Sequence, residues 1–179
     1  MRIETLPGCR LLIGRYPAFL YDASGGGGAG TGQTGGGALE FMAEGLTVPP
    51  LNGASTRFLG LPLPPGLEIA ITAQQLGGTW QPDTGLVNLE FRARFRFRLG
   101  VGNLDLYRAP DLRIACALTT GASCGQRHRA EGQALDQRGQ GVLVGVATVA
   151  PSGDAWLDRF LGLPDEALAV LHCRIHPSA

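Results

Sequence analysis

The sequence predicts an all-β protein: a single curved β-sandwich or β-barrel domain over residues 1–179, with two short helices. Three observations carry that prediction. Residues Val87–Leu99 alternate strictly between apolar and polar side chains, the period-two pattern of a strand with one buried face. The chain holds 28 glycines and 12 prolines, enough to divide it into many short elements and few long helices. The hexapeptide Arg57-Phe58-Leu59-Gly60-Leu61-Pro62 recurs as Arg159-Phe160-Leu161-Gly162-Leu163-Pro164, which points to an internal duplication.

Taken in order, Cys9–Ile13 and Ala18–Ala23 read as two short strands broken at Gly14–Pro17. Residues 24–37 are almost wholly Gly, Ala, Thr and Gln and read as a flexible loop or hairpin tip. Gly30 to Gly35 match the dinucleotide fingerprint G-x-G-x-x-G. In a tract this rich in glycine, composition alone produces such a match, and Ala38–Glu44 is too short for the helix the motif requires.

The duplication is expected over residues 39–73 and 141–175, each a strand–short helix–strand unit. In the second unit Asp154 is placed to cap a helix, and Trp156, Leu157, Phe160 and Leu161 form an apolar stripe at helical spacing. Gly162 suits the left-handed position after the helix, and Pro164 forbids its continuation. Ser55, Gly60 and Pro62 would play the same parts in the first unit. Trp156 and Phe160 are expected in the core, since helices this short need packing to stabilise them. Leu67–Ala73 and Ala167–Ile175 are the strands that follow.

Leu76–Trp80 and the strand Val87–Leu99 flank a turn at Pro82–Gly85. Thirteen residues at ~3.3 Å each span roughly 43 Å, so Val87–Leu99 is expected to bend strongly. Its Phe91, Phe95 and Phe97 face one way, and Arg92, Arg94, Arg96 and Arg98 the other. Leu112–Thr119, His128–Leu135 and Gly141–Val149 are further strands, with a turn over Gly139–Gly141.

The charge is balanced, with 15 basic and 15 acidic residues, so no nucleic-acid partner is expected. Every basic residue is arginine, which excludes Schiff-base chemistry and the lysine of a phosphate loop. Of the cysteines Cys9, Cys116, Cys124 and Cys173, none forms a Cys-x-x-Cys pair. Leu6-Pro7-Gly8-Cys9 looks like a lipoprotein box but lacks the apolar run before it. No apolar stretch is long enough for a transmembrane segment. A cytoplasmic protein with reduced thiols is expected, with no cofactor and no metal.

Two constellations invite chemistry. The arginines recur at ~6.6–7 Å, near the phosphate repeat of a single strand, which suits an anionic ligand; equally, they pair with Glu68, Glu131 or Asp136 on a solvated face. Cys124, His128 and Glu131 supply the ingredients of a thiol nucleophile. Cys124-x-x-x-His128 would need His172, Cys173 or His176 to complete a metal site. No other catalytic template is present.

The leading functional reading is therefore a non-catalytic module that binds an apolar or amphipathic small molecule in a β cavity lined by Phe91, Phe95 and Phe97, with Arg92, Arg94 and Arg96 as the candidate anion contacts. An assembly protein that pairs copies through a β face or edge is the second reading. A cysteine-dependent enzyme is the third.

At Tyr107–Leu112, Leu143–Ala147 and Asp158–Leu171 the chain resembles conserved hypothetical proteins of cyanobacteria, over roughly Leu39 to Ile175. That group carries no assigned activity, so the resemblance implies a source and nothing about mechanism.

Overall fold

A computed structural model describes residues 1–102 and 104–177. The first strands are β1 (Arg2–Thr5), β2 (Cys9–Ile13), β3 (Phe19–Tyr21), β4 (Gly27–Gly32) and β5 (Gly37–Phe41). Next come the short β6 (Thr56–Phe58) and β7 (Leu61–Pro62), then the two longest strands, β8 (Leu67–Gln81) and β9 (Leu86–Val101). The rest are β10 (Leu104–Arg108), β11 (Leu112–Thr119), β12 (Ala122–Cys124), β13 (Arg129–Glu131), β14 (Gln140–Val149) and β15 (Asp165–His176). Helix α1 (Ala155–Leu161) connects the last two.

Strands β1, β4, β5, β8, β9, β11, β14 and β15 are neighbours in that order, and β15 pairs back onto β1. Neighbours in this ring run antiparallel throughout. Ring closure decides between sandwich and barrel. The domain is an all-β barrel whose strands form a closed ring.

Alternation places the core. Along β9, Val87, Leu89, Ala93 and Phe97 are buried while Asn88, Glu90, Arg92, Arg94 and Arg96 are exposed. This strand outruns any single partner, so one edge pairs with β11 up to Phe95 and with β10 from Arg98 onward. β15 divides its edge in the same way between β2 and β1. The expected bend falls on β9's neighbour. β8 carries a bulge between Ala73 and Gln75, which adds a residue to one strand and kinks it. Because the bulge shifts the alternation, Ala73 and Leu76 both point inward. Leu67–Ala73 and Leu76–Trp80, expected as separate strands, are therefore one.

Other expectations need correction. Residues 24–37, expected to form a flexible loop, contain β4, which pairs with both β1 and β5; residues 33–36 form the hairpin tip. Gly27 has φ +124°, and a Cβ there would collide with the Ile3 carbonyl, so glycine is what lets these strands meet. The dinucleotide fingerprint thus lies on a strand and a hairpin tip, with β5 after it in place of a helix.

The two copies of the hexapeptide fold differently. In the second, Asp154 accepts a 2.8 Å hydrogen bond from the Leu157 N–H, and Gly162 ends α1 in the left-handed conformation, φ 71°. In the first, the same letters make the β6–β7 hairpin, with Leu59 (φ 52°) and Gly60 (φ 81°) at its tip. Both positive φ values match the turn that suits strand twist. The helix expected after Ser55 does not form: the Ser55 hydroxyl donates to the Pro50 carbonyl instead. Phe58 stacks on Phe19 across the β3–β6 pairing, so tertiary pairing overrides the local helix-stop signal. The first unit holds only a three-residue 3-10 helix at Ala43–Gly45, so one of the two expected helices forms, and the duplication does not extend to matching local structure.

Trp156 and Phe160 are likewise not core residues. Leu157 and Leu161 take the buried face of α1, leaving Trp156 58% and Phe160 47% exposed.

Candidate binding cavity

Inward side chains pack into two clusters with space between them. One cluster joins Ile13, Tyr21, Leu51, Ile69, Phe97, Leu112, Val149, Leu157 and Leu161. The other joins Ile3, Leu39, Phe41, Leu76, Leu89, Leu118, Leu143 and Ile175. Between them lies a cavity of about 160 Å³ whose wall draws on both.

Side-chain size explains the space. Between the larger Leu143, Val149, Leu171 and Cys173, β14 and β15 present Gly145, Ala147, Ala167 and Ala169 to the cavity, while β8, β9 and β11 present Ile71, Phe91, Phe95 and Ile114. These last four remain partly exposed although they point into the barrel, and the surface they keep faces the cavity. Gly145 is glycine for a separate reason: a Cβ there would lie 2.6 Å from the Ala117 carbonyl oxygen, so β11 can approach only a bare backbone.

Two polar side chains of the wall are engaged within the chain, and Thr47 is exposed. Thr5 Oγ1 donates to the Ala23 carbonyl at 2.6 Å, and the Tyr21 hydroxyl donates to the Pro49 carbonyl. Arg10 is exposed. Burial pushes the Cys116 thiol up to about 11 and the Cys173 thiol up to about 12. Both therefore stay protonated at neutral pH and act as small apolar groups, the opposite of activated thiolates. The lining of the cavity is almost wholly apolar.

One seam of the barrel is thin. All of Leu112–Thr119 pairs with β9, whereas β11 meets β14 at the single ladder position Thr119↔Val144. Beyond that position the two strands still run side by side, a Cβ on Gly145 lying 2.6 Å from the Ala117 carbonyl oxygen, and Leu157 and Leu161 of α1 belong to the same buried cluster as Leu112 and Val149. Outside β14 the hairpin β12–β13 covers Val144, and Ser123 Oγ accepts from the Val146 N–H at 3.0 Å.

The structure separates the predicted site residues into two places. Phe91, Phe95 and Phe97 line the cavity. Arg92, Arg94 and Arg96 lie on the outer face, since consecutive residues of a strand point to opposite sides. Arg96 grips Asp111 with two hydrogen bonds of 2.8 and 3.0 Å, and Arg98 pairs with Asp105. Of the expected partners, Glu68 is opposite Arg98 in register, while Asp136 accepts from the backbone N–H groups of Arg138 and Gln140.

The Cys124–His128 region forms the β12–β13 turn. Cys124 is exposed, His128 is buried, and no hydrogen bond joins them among the described residues. Instead the Glu166 carboxylate accepts three consecutive backbone N–H groups, from Gln126 (2.7 Å), Arg127 (2.8 Å) and His128 (3.1 Å). These bonds hold the Glu166 carboxyl below its ordinary value. Asp165 beside it is held low by the Arg127 guanidinium, 2.7 Å away. Among the described residues, no group of three His, Cys, Asp or Glu side chains is placed to hold a metal.

Sequence reasoning named the phenylalanine wall but missed the opposite one. The signal was there: Gly145, Ala147, Ala167 and Ala169 are small residues at alternate positions of two predicted strands. Comparison of the chain with protein-family models, curated proteins and solved structures finds no match.

Proposed function

We propose that this barrel is a non-catalytic binding module that holds a small apolar or amphipathic molecule between its two core clusters. The observation that carries the reading is the apolar cavity of about 160 Å³, walled by aromatic, aliphatic and neutral thiol groups. A cavity near 150 Å³ lined by aliphatic and aromatic groups stays dry and takes up benzene. Volume therefore favours a ligand with a single ring or a short alkyl chain. The engaged polar groups favour an apolar one, because a buried unpaired polar atom costs ~1–3 kcal/mol.

Thermal unfolding with toluene, indole and benzoate tests the reading, with native mass spectrometry to detect the bound mass. At tenfold excess over its Kd, toluene or indole should add about 1.4 kcal/mol, a Tm rise of ~3–6 °C. Benzoate should bind more weakly than the neutral rings, because burying its carboxylate adds a desolvation cost that they lack. No shift and no bound mass with either neutral ring, up to their solubility limits, refutes the reading.

A further inference from the structure

The α1 end of the barrel exposes a continuous band of apolar side chains. The Tyr107 ring meets Trp156 edge-on at 5.0 Å, and Trp156 stacks on Phe160 at 5.2 Å with 4° between planes. Phe160 adjoins Tyr16, and Tyr16 adjoins Phe58 of the β6–β7 hairpin. Beyond Phe58, Leu59 at the hairpin tip and Leu61 at the start of β7 are each 69% exposed. Beyond Tyr107, exposed Leu104 and Leu106 continue the band along β10. Four separate parts of the chain, β10, α1, the β6–β7 hairpin and the β2–β3 loop, thus converge on one apolar surface. A contiguous exposed patch of this kind marks an interaction site.

Charge identifies what the patch meets. Arg57, Arg108 and Arg159 are exposed on the elements that carry the band, and no carboxylate lies within ion-pair distance of them among the described residues; one nitrogen of Arg57, Nη1, donates to the Gly53 and Thr56 carbonyls. The acids of the same region are engaged within the chain. Asp154 caps α1, Asp158 accepts from the Ser152 hydroxyl and N–H, Asp105 holds Arg98 and Asp111 holds Arg96. A second copy of this face would oppose arginine to arginine. An anionic surface would take both the rings and the guanidinium groups: Tyr and Trp favour the boundary between water and hydrocarbon, and the planar guanidinium matches phosphate with paired donors.

We propose that this end of the barrel docks on an anionic lipid bilayer, with Trp156, Phe160, Leu59 and Leu61 in the headgroup region and Arg57, Arg108 and Arg159 on lipid phosphates. The inference does not depend on the cavity being a ligand site.

Vesicle co-sedimentation of the full chain tests it, comparing phosphatidylcholine alone with phosphatidylcholine mixed with phosphatidylglycerol. Binding is expected to the mixed vesicles, with a blue shift of tryptophan fluorescence, and should weaken sharply at about 0.5 M salt. The double variant Trp156→Ala, Phe160→Ala should bind about tenfold more weakly. Arg57→Glu with Arg159→Glu should lose the preference for anionic vesicles. All four side chains are exposed, so circular dichroism should confirm that both variants fold. Failure of the parent chain to bind mixed vesicles overturns the proposal, as does equal binding by both variants. A concentration-dependent dimer that the Trp156→Ala, Phe160→Ala variant abolishes, without vesicle binding by the parent, assigns the patch to self-association and also overturns it.

Discussion

Substituting Ala169→Leu tests whether the barrel interior holds usable space. Ala169 faces inward on β15 opposite Leu11 on one side and Gly145 on the other, and it lines the cavity. Leucine adds three carbons, worth ~0.8 kcal/mol each when buried, or ~2.4 kcal/mol in all. Fixing the leucine rotamer removes ~0.5–1 kcal/mol of this. A net gain of about 1.5 kcal/mol follows, and for a chain of this size it raises Tm by ~3–6 °C. Urea unfolding monitored by circular dichroism gives the free energy, and an unchanged slope shows that the unfolded state is not responsible. The same leucine should remove most of the Tm rise that toluene gives the parent. Overpacking into a full interior costs ~1–3 kcal/mol. A destabilisation in that range would refute the cavity, and with it the volume argument for a bound molecule.

Two other predictions address what holds the barrel closed. Gly162→Ala forces a Cβ onto a residue at φ 71° with no neighbouring atom within 4 Å of that Cβ. The cost is then conformational alone, about 1–2 kcal/mol and a Tm lower by ~3–6 °C, with faster amide exchange in α1 than elsewhere. The second concerns acid. Asp165 and Glu166 have carboxyl groups held below their unfolded values, so the stability they lend is full above about pH 4–5 and lost as pH falls through their folded values. Amides of β12 and β13 should therefore lose protection selectively as pH drops from 6 to 3. In Glu166→Gln they should already be less protected at pH 6, with a weaker acid response. Equal acid sensitivity in both chains would rule out the Glu166 tether as its source.

Much of the local structure was legible in the residues themselves. Cys9–Ile13 and Leu112–Thr119 have the predicted ends. Val87–Leu99 and Gly141–Val149 extend only slightly further in the folded chain. Alternation is written in neighbours two apart and needs no distant contact to be read. The cap Asp154 and the stop at Gly162 are local for the same reason. Legibility failed where one extra residue, Gln74, shifted the phase of β8, and where Arg57–Pro62 carried a helix-stop signal into a hairpin. It failed also for Trp156 and Phe160, because an apolar stripe does not say which of its edges will find a neighbour.

The sequence by itself determined that the chain is all-β, that Phe91, Phe95 and Phe97 share one strand face, and that the arginines between them take the other. Those conclusions follow from side-chain period and polarity, which act over a few residues. The tertiary structure alone decided that β15 returns to β1 and closes a barrel. It likewise set the small side chains of β14 and β15 across from the phenylalanines and brought Leu157 and Leu161 of α1 into one buried cluster with Leu112 and Val149. These depend on pairings between residues more than a hundred positions apart, such as Ile3 with Ile175. No short-range pattern encodes them, because the free energy of closure belongs to the whole ring.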